Sequence, residues 1–220
     1  MSVAITPQMI KDLRELTGAP MGDCKKALQE TDGAQDKAVE YLQKKSLATA
    51  QKKSGRTAAE GRVGSYVHHD GKLAVLVEVN CETDFVANTA DFEEIVKSVA
   101  MQIAAMNPKF VRREEIPAAE LAHQREIFEA QVREMGKPEA LVPRIAEGKL
   151  TAWYQDVCLL DQAYVKDEKG TAVGKWLAER VAKTGENIQV RRFVRFELGE
   201  GLAKREDDFV AEVARMAAQA

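Results

Sequence analysis

Long apolar runs, paired cysteines, aromatics and an excess of either charge are all scarce in this chain. No apolar stretch approaches the roughly 18 residues of a spanning helix, and residues 1–11 lack the charged and apolar blocks of a secretory leader. A cytoplasmic setting is the expectation. The three cysteines, Cys24, Cys81 and Cys158, lie far apart with no CxxC pair. An odd, dispersed set suits free thiols in a reducing compartment and offers neither a disulfide frame nor a zinc site. Aromatics make up only 6% of the 220 residues, and 32 Lys and Arg face 35 Asp and Glu, a net charge of −3. A nucleic-acid binder carries a basic footprint, so this balance argues against direct contact with RNA or DNA. The glycine-rich phosphate loop ending in Gly-Lys is also missing, so the chain is expected to hold no nucleotide and no cofactor. What remains is an ordinary helix-biased composition, 45% hydrophobic and 30% charged, long enough for one or two domains with a real core.

Residues 1–46 read as three short helices. Thr6 caps the first, Pro7 sits where a missing N–H costs nothing, and Met9, Ile10, Leu13 and Leu16 follow helical spacing up to Gly18. Cys24, Ala27 and Leu28 form the stripe of a second helix; Asp32-Gly33 turns into a third carrying Ala38, Val39, Tyr41 and Leu42. Residues 46–57 lack sustained apolar periodicity and read as a solvated linker with some helical character. The pattern then changes to period two. Val63, Ser65 and Val67, then His68-His69-Asp70-Gly71, then residues 73–80 (LAVLVEVN) predict a hairpin whose second strand is central and covered by helices.

Further helices follow. Phe92, Ile95, Val96, Val99, Ile103 and Met106 mark one; Leu121, Phe128, Val132 and Met135 mark another, opened by Pro117. Residues 138–156 read as helix bent or broken near Pro143 and Gly148. Val173, Trp176, Leu177 and Val181 form a stripe closed by Gly185. Residues 188–198 alternate, with Ile188, Val190, Val194, Phe196 and Leu198 on one face and Gln189, Arg191, Arg195 and Glu197 on the other. A last helix carries Phe209, Val210, Val213 and Met216. Strands and helices do not alternate regularly, which predicts an α+β fold with a small antiparallel sheet.

Enzyme-like constellations are weak. Gly199-Glu200-Gly201 has Lys204 where a dinucleotide-binding turn needs its third glycine, and no strand follows. His68, His69, Cys81, Glu82 and Asp84 could converge on a metal. Adjacent strand residues point to opposite faces, however, so His68 and His69 do not easily share an ion. Arg191-Arg192-Phe193 with Arg195 could stack bases or simply line a solvated strand.

The informative segment is Cys81-Glu82-Thr83-Asp84-Phe85-Val86-Ala87, where an acid and a large aromatic leave a buried strand. Read locally, Phe85 could staple the next helix while Asp84 caps it. A wider resemblance favours another role. Leu13-Arg14-Glu15-Leu16-Thr17-Gly18-Ala19-Pro20-Met21-Gly22-Asp23-Cys24, the run Glu78-Val79-Asn80 continuing through Ala87, and Gly185-Glu186-Asn187-Ile188 with Val190-Arg191-Arg192-Phe193 occur in order. Together they resemble the bacterial elongation factor Ts family over nearly the whole chain.

That resemblance implies a ubiquitin-associated-like head at residues 1–46, a linker at 47–57, an α+β dimerisation core at 58–200 and a C-terminal helical module at 201–220. It implies nucleotide exchange on elongation factor Tu rather than catalysis. Phe85 would be a wedge beside the partner's phosphate and magnesium region, with Thr83, Asp84 and Val86 around it. His68 would lie near the partner's nucleotide site, and Met21 and Leu13 of the head would dock a partner helix, although Leu13 reads equally well as bundle core. The short length resembles family members that act as homodimers. Thr184 departs from the aliphatic residue that the family often has there. An RNA-associated module and a thiol- or metal-dependent hydrolase are the competing classes.

Overall fold

Local chemistry sets the first helix boundaries. In the computed structural model, which describes residues 4–202, Thr6 accepts the Met9 N–H at 3.3 Å to cap α1 (Pro7–Thr17). Gly18 ends that helix at φ 66°, a left-handed conformation that glycine adopts without a Cβ penalty. α2 (Met21–Glu30) and α3 (Gln35–Lys53) complete a bundle around Leu13, Cys24, Ala27, Leu28, Ala38 and Leu42. α3 outruns the expected end near residue 46 and turns most of the anticipated linker into helix. No glycine or proline interrupts residues 35–54, and Ala50 packs on the main core, so tertiary contact extends what weak periodicity did not announce.

β1 (Glu60–Val67) and β2 (Leu73–Cys81) form the antiparallel hairpin, and β3 (Gln189–Glu197) pairs antiparallel with the other side of β2. β2 is therefore central. α4 (Asp84–Ala87) is a single turn, and α5 (Ala90–Met106) crosses one sheet face, burying Phe92, Ile95, Val96, Val99 and Ile103 with Val75, Val77 and Val79. Gly64 permits this approach, since a Cβ there would lie 2.1 Å from Val96 Cγ1. Among the described residues, helices cover this inner face of β2 and leave Leu76 on the other face exposed.

The expected alternation of β3 also changes partway. Register slips between Glu78 and Val79, which pair with Arg192 and Val190, leaving Arg191 as an inserted residue. Such a bulge reverses the faces beyond it. Ile188 and Val190 are buried as expected. Phe193 then packs on the core, while Val194 and Phe196 are exposed on the outer face.

α6 (Ala118–Glu134) and α7 (Val142–Val157) form a helical hairpin closed by Val132, Val142, Ala146 and Leu150. α7 is unbroken: Pro143 lies in its first turn, where no N–H is required, and Gly148 is absorbed within the helix. α8 (Val173–Thr184) buries Trp176, Leu177 and Val181 in the main core and lies along α3, with Gly185 as its left-handed cap. The stripe at Phe209, Val210, Val213 and Met216 lies outside the described residues.

Candidate partner-binding site

At the end of β2 the chain turns outward through Glu82 and Thr83 into α4. Thr83 caps that turn, its hydroxyl accepting the Val86 N–H at 3.4 Å. Thr89 caps α5 by accepting the Phe92 N–H at 3.2 Å. Neither Asp84 nor Phe85 supplies the cap or staple that a local reading allows. Phe85 is 83% exposed, the largest exposure among the large apolar side chains of the described residues, and Asp84 beside it is also exposed. Val86 is half-buried against the core and Ala87 is buried, so the turn is anchored on one side and presents its aromatic on the other.

The anchor comes from a distant part of the chain. The Glu186 carboxylate accepts the Glu82 N–H at 3.1 Å, the Thr83 N–H at 3.0 Å and the Thr83 hydroxyl at 2.6 Å. In return the Glu82 carboxylate accepts the Asn187 N–H at 2.6 Å and faces Arg56 at 3.6 Å. The buried Asn187 amide donates to the carbonyls of Arg56, at 2.8 Å, and Ser54, at 3.4 Å, and the Lys53 ammonium donates to the Gly185 carbonyl. Two stretches about a hundred residues apart thus interlock, and the C-terminal end of α3 is fastened to the same loop. The motif Gly185-Glu186-Asn187-Ile188 gives Glu186 and Asn187 no role by local pattern alone. The available signal was a carboxylate and an amide directly after the glycine stop of α8.

Cys81 lies beneath this turn with its thiol donating to the Thr83 carbonyl at 3.1 Å. Burial, reinforced by the Glu186 charge, pushes that thiol up to about 11. Burial likewise raises Cys158 to about 11 and raises Cys24. The three thiols are therefore protonated at neutral pH, the opposite of an activated nucleophile. Among the described residues, no group of three or more His, Cys, Asp or Glu is placed to hold a metal ion, and no helix is long and apolar enough to cross a membrane.

His68 is not part of the Phe85 cluster. Glu60 pairs with Cys81 at one end of the hairpin and Val67 with Ala74 at the other. His68 follows Val67, and seven residue steps of strand separate the two ends by about 23 Å. There the Tyr66 hydroxyl lies 3.0 Å from His68 Nδ1, and the His69 ring is 4.3 Å away between centroids. In the head, Met21 and Leu16 are both exposed, whereas Leu13 has no exposure. Leu13 is bundle core, and its side chain does not reach the surface. The arginines of β3 are not a free basic stripe either: Arg191 and Arg192 both bond Glu78, at 2.8 and 2.7 Å, and Arg195 turns inward beyond the bulge.

A family model described as Elongation factor TS matches residues 2–200. Proteins named Elongation factor Ts are similar along essentially their whole length. That of Geobacter metallireducens is 55% identical over 98% of this chain and 99% of its own; that of Myxococcus xanthus is 54% identical over the same shares. The Heliobacterium modesticaldum protein is 54% identical over 95% of this chain and 97% of its own. The chain belongs to the elongation factor Ts family, a family of translation elongation factors.

Proposed function

We propose that this chain is a guanine nucleotide exchange factor that binds elongation factor Tu in the cytoplasm and promotes release of GDP, without catalysing a reaction itself. The observation that carries this reading is Phe85, a large aromatic held open to solvent on a turn fastened at both ends. Family membership supports the choice of partner, and the exposed aromatic supports a wedge role. An exchange factor must bind nucleotide-free partner more tightly than GDP-bound partner, and by linkage it then weakens GDP by the same factor. GTP refills the emptied site. Phe85 inserts between partner helices near the phosphate and magnesium region, and exposed Asp84 disfavours the magnesium-bound arrangement. Thr83 and Val86 hold the turn.

Met21 and Leu16 give the head an adaptable apolar contact for a partner helix. Leu13 serves that contact from beneath, by holding the bundle together. His68, at the far end of the sheet, makes a separate contact.

The active form is a homodimer paired through the outer face of the sheet. Val63, Val67, Leu76, Val194 and Phe196 are exposed there, Val63 at 71% and Phe196 at 65%. An apolar patch on regular secondary structure is suited to an isologous contact with a second copy. Beside the patch Glu78 is paired with Arg191 and Arg192, which neutralises the carboxylate and leaves one net positive charge. No cofactor and no direct nucleic-acid contact enter this reading.

The test is stopped-flow release of labelled GDP from elongation factor Tu, comparing wild type with Phe85→Ala. Truncating an aromatic anchor costs about 2 kcal/mol of the exchange-competent complex, roughly thirtyfold. The circular dichroism and melting temperature should remain those of wild type, because Phe85 is 83% exposed. Wild-type exchange by that variant would remove the wedge.

A further inference from the structure

We propose that Glu186 is the positioning residue for Phe85: its carboxylate fixes the turn that aims the aromatic, and exchange depends on it although it lies outside the exposed contact surface. The inference rests on the exchange-factor reading above.

α4 is one turn of four residues, and an isolated turn of helix does not hold itself in water. Phe85 contributes nothing to its stability, being almost wholly exposed. Its orientation is therefore set by whatever grips residues 82–83 and 86–87. On the C-terminal side the grip is apolar, through Val86 and Ala87. On the N-terminal side it is Glu186. Oε2 takes two consecutive backbone N–H groups, and Oε1 takes the Thr83 hydroxyl at 2.6 Å. Both carboxylate oxygens are committed to one turn, and bonds to a charged acceptor are about twice as strong as neutral ones. The Thr83 hydroxyl relays this grip, donating to Glu186 while accepting from Val86 in the first turn of α4. Glu186 in turn is held because its neighbour Asn187 is pinned by Glu82 and by the carbonyls after α3. Without Glu186, two N–H groups and a hydroxyl must find water, and the turn gains freedom where the wedge needs a fixed direction.

The experiment compares GDP release from elongation factor Tu with wild type, Phe85→Ala, Glu186→Ala, Glu186→Gln and the double variant Phe85→Ala/Glu186→Ala. Misaiming a positioned group by an ångström is costly, so Glu186→Ala should lower the maximal release rate about tenfold. The concentration giving half-maximal rate should stay within about threefold, because the remaining contacts are untouched. Glu186→Gln keeps a carbonyl oxygen for the two N–H groups and should fall between Glu186→Ala and wild type. The double variant should be no slower than Phe85→Ala alone, since a residue acting through Phe85 has nothing left to position. Hydrogen exchange gives a readout independent of the partner: Glu82, Thr83 and Val86 amides should exchange faster in Glu186→Ala while Val77, in the centre of the sheet, stays protected.

Wild-type rates for Glu186→Ala alongside an impaired Phe85→Ala would overturn the positioning role and leave the wedge standing. A double variant slower than either single one would overturn it as well, by showing that Glu186 acts elsewhere. An unimpaired Phe85→Ala would sink the wedge and the positioning role together. If Glu186→Ala does not fold, the same cycle with Glu186→Gln decides by the same criteria.

Discussion

On the inner face of the sheet, Val75, Val77 and Val79 lie under α5 with almost no exposure; on the outer face, Val63, Leu76, Val194 and Phe196 lie open. Both faces carry large apolar side chains, and strands of this kind leave ambiguous which side a core will take. Gly64 resolves the ambiguity for the inner face by letting Val96 of α5 come close. The bulge at Arg191 resolves it for β3, sending Phe193 inward and Val194 and Phe196 outward. What the comparison teaches is that apolar character specifies burial somewhere, whereas close approach and register specify burial here. The outer face is left with a group of core-like side chains in the position of a surface, which is why a second copy of the chain is its proposed cover.

Four substitutions would break or sharpen that contrast. The largest effect belongs to the inner face. Phe92 is fully buried beneath the sheet, and Phe92→Ala should cost about 3–5 kcal/mol in urea unfolding. Gly64→Ala should follow at about 1–3 kcal/mol, since a methyl group 2.1 Å from Val96 forces the helix off the sheet. Equal stability in that variant would show that α5 is less closely seated than its contacts imply. On the outer face the expectation reverses. Phe196→Lys should leave unfolding of the monomer within about 0.5 kcal/mol. In sedimentation it should weaken the proposed dimer by at least about 1 kcal/mol, fivefold or more. A variant that stays dimeric would assign the association to another surface.

The smallest effect is electrostatic. Hydrogen bonds from Arg191 and Arg192 hold the Glu78 carboxyl below the usual carboxylate range. A folded value below the unfolded one stabilises the protein above the unfolded value, and that contribution disappears as pH falls through the folded one. Glu78→Gln should therefore be slightly less stable than wild type at pH 7 and indistinguishable from it in strong acid. Both arginines are largely exposed, so the difference is small. A pH-independent difference between the two would trace the loss to packing instead.

Much of the fold was legible because it is written in short-range chemistry. Thr6, Pro7 and Gly18 bound α1 as read, Gly185 ends α8, and Asp70-Gly71 turns the hairpin. The failures lie where a local signal has more than one outcome. Pro143 breaks a helix from its middle but opens one from its first turn, and only the preceding chain decides which. The stretch after residue 46 is a weak helix until Ala50 finds the core. Leu13 fits both a core and a contact stripe, because one apolar side chain at helical spacing cannot announce which side of the bundle it faces. Phe85 was legible as an oddity, whereas the support beneath it was not: Glu186 approaches Thr83 across about a hundred residues, and no spacing rule spans that distance.

The sequence by itself determined the helix caps, the hairpin, the near-neutral charge and the ordered motifs that mark the elongation factor Ts family. These depend on a few adjacent residues, or on identity along the chain, and need no packing to be read. The tertiary structure decided which sheet face is covered, where β3 changes sides, and how the Phe85 turn is held between Glu186 and the core. Each of those outcomes comes from groups meeting across long loops, where steric fit and hydrogen-bond satisfaction select one arrangement from several that the local sequence permits.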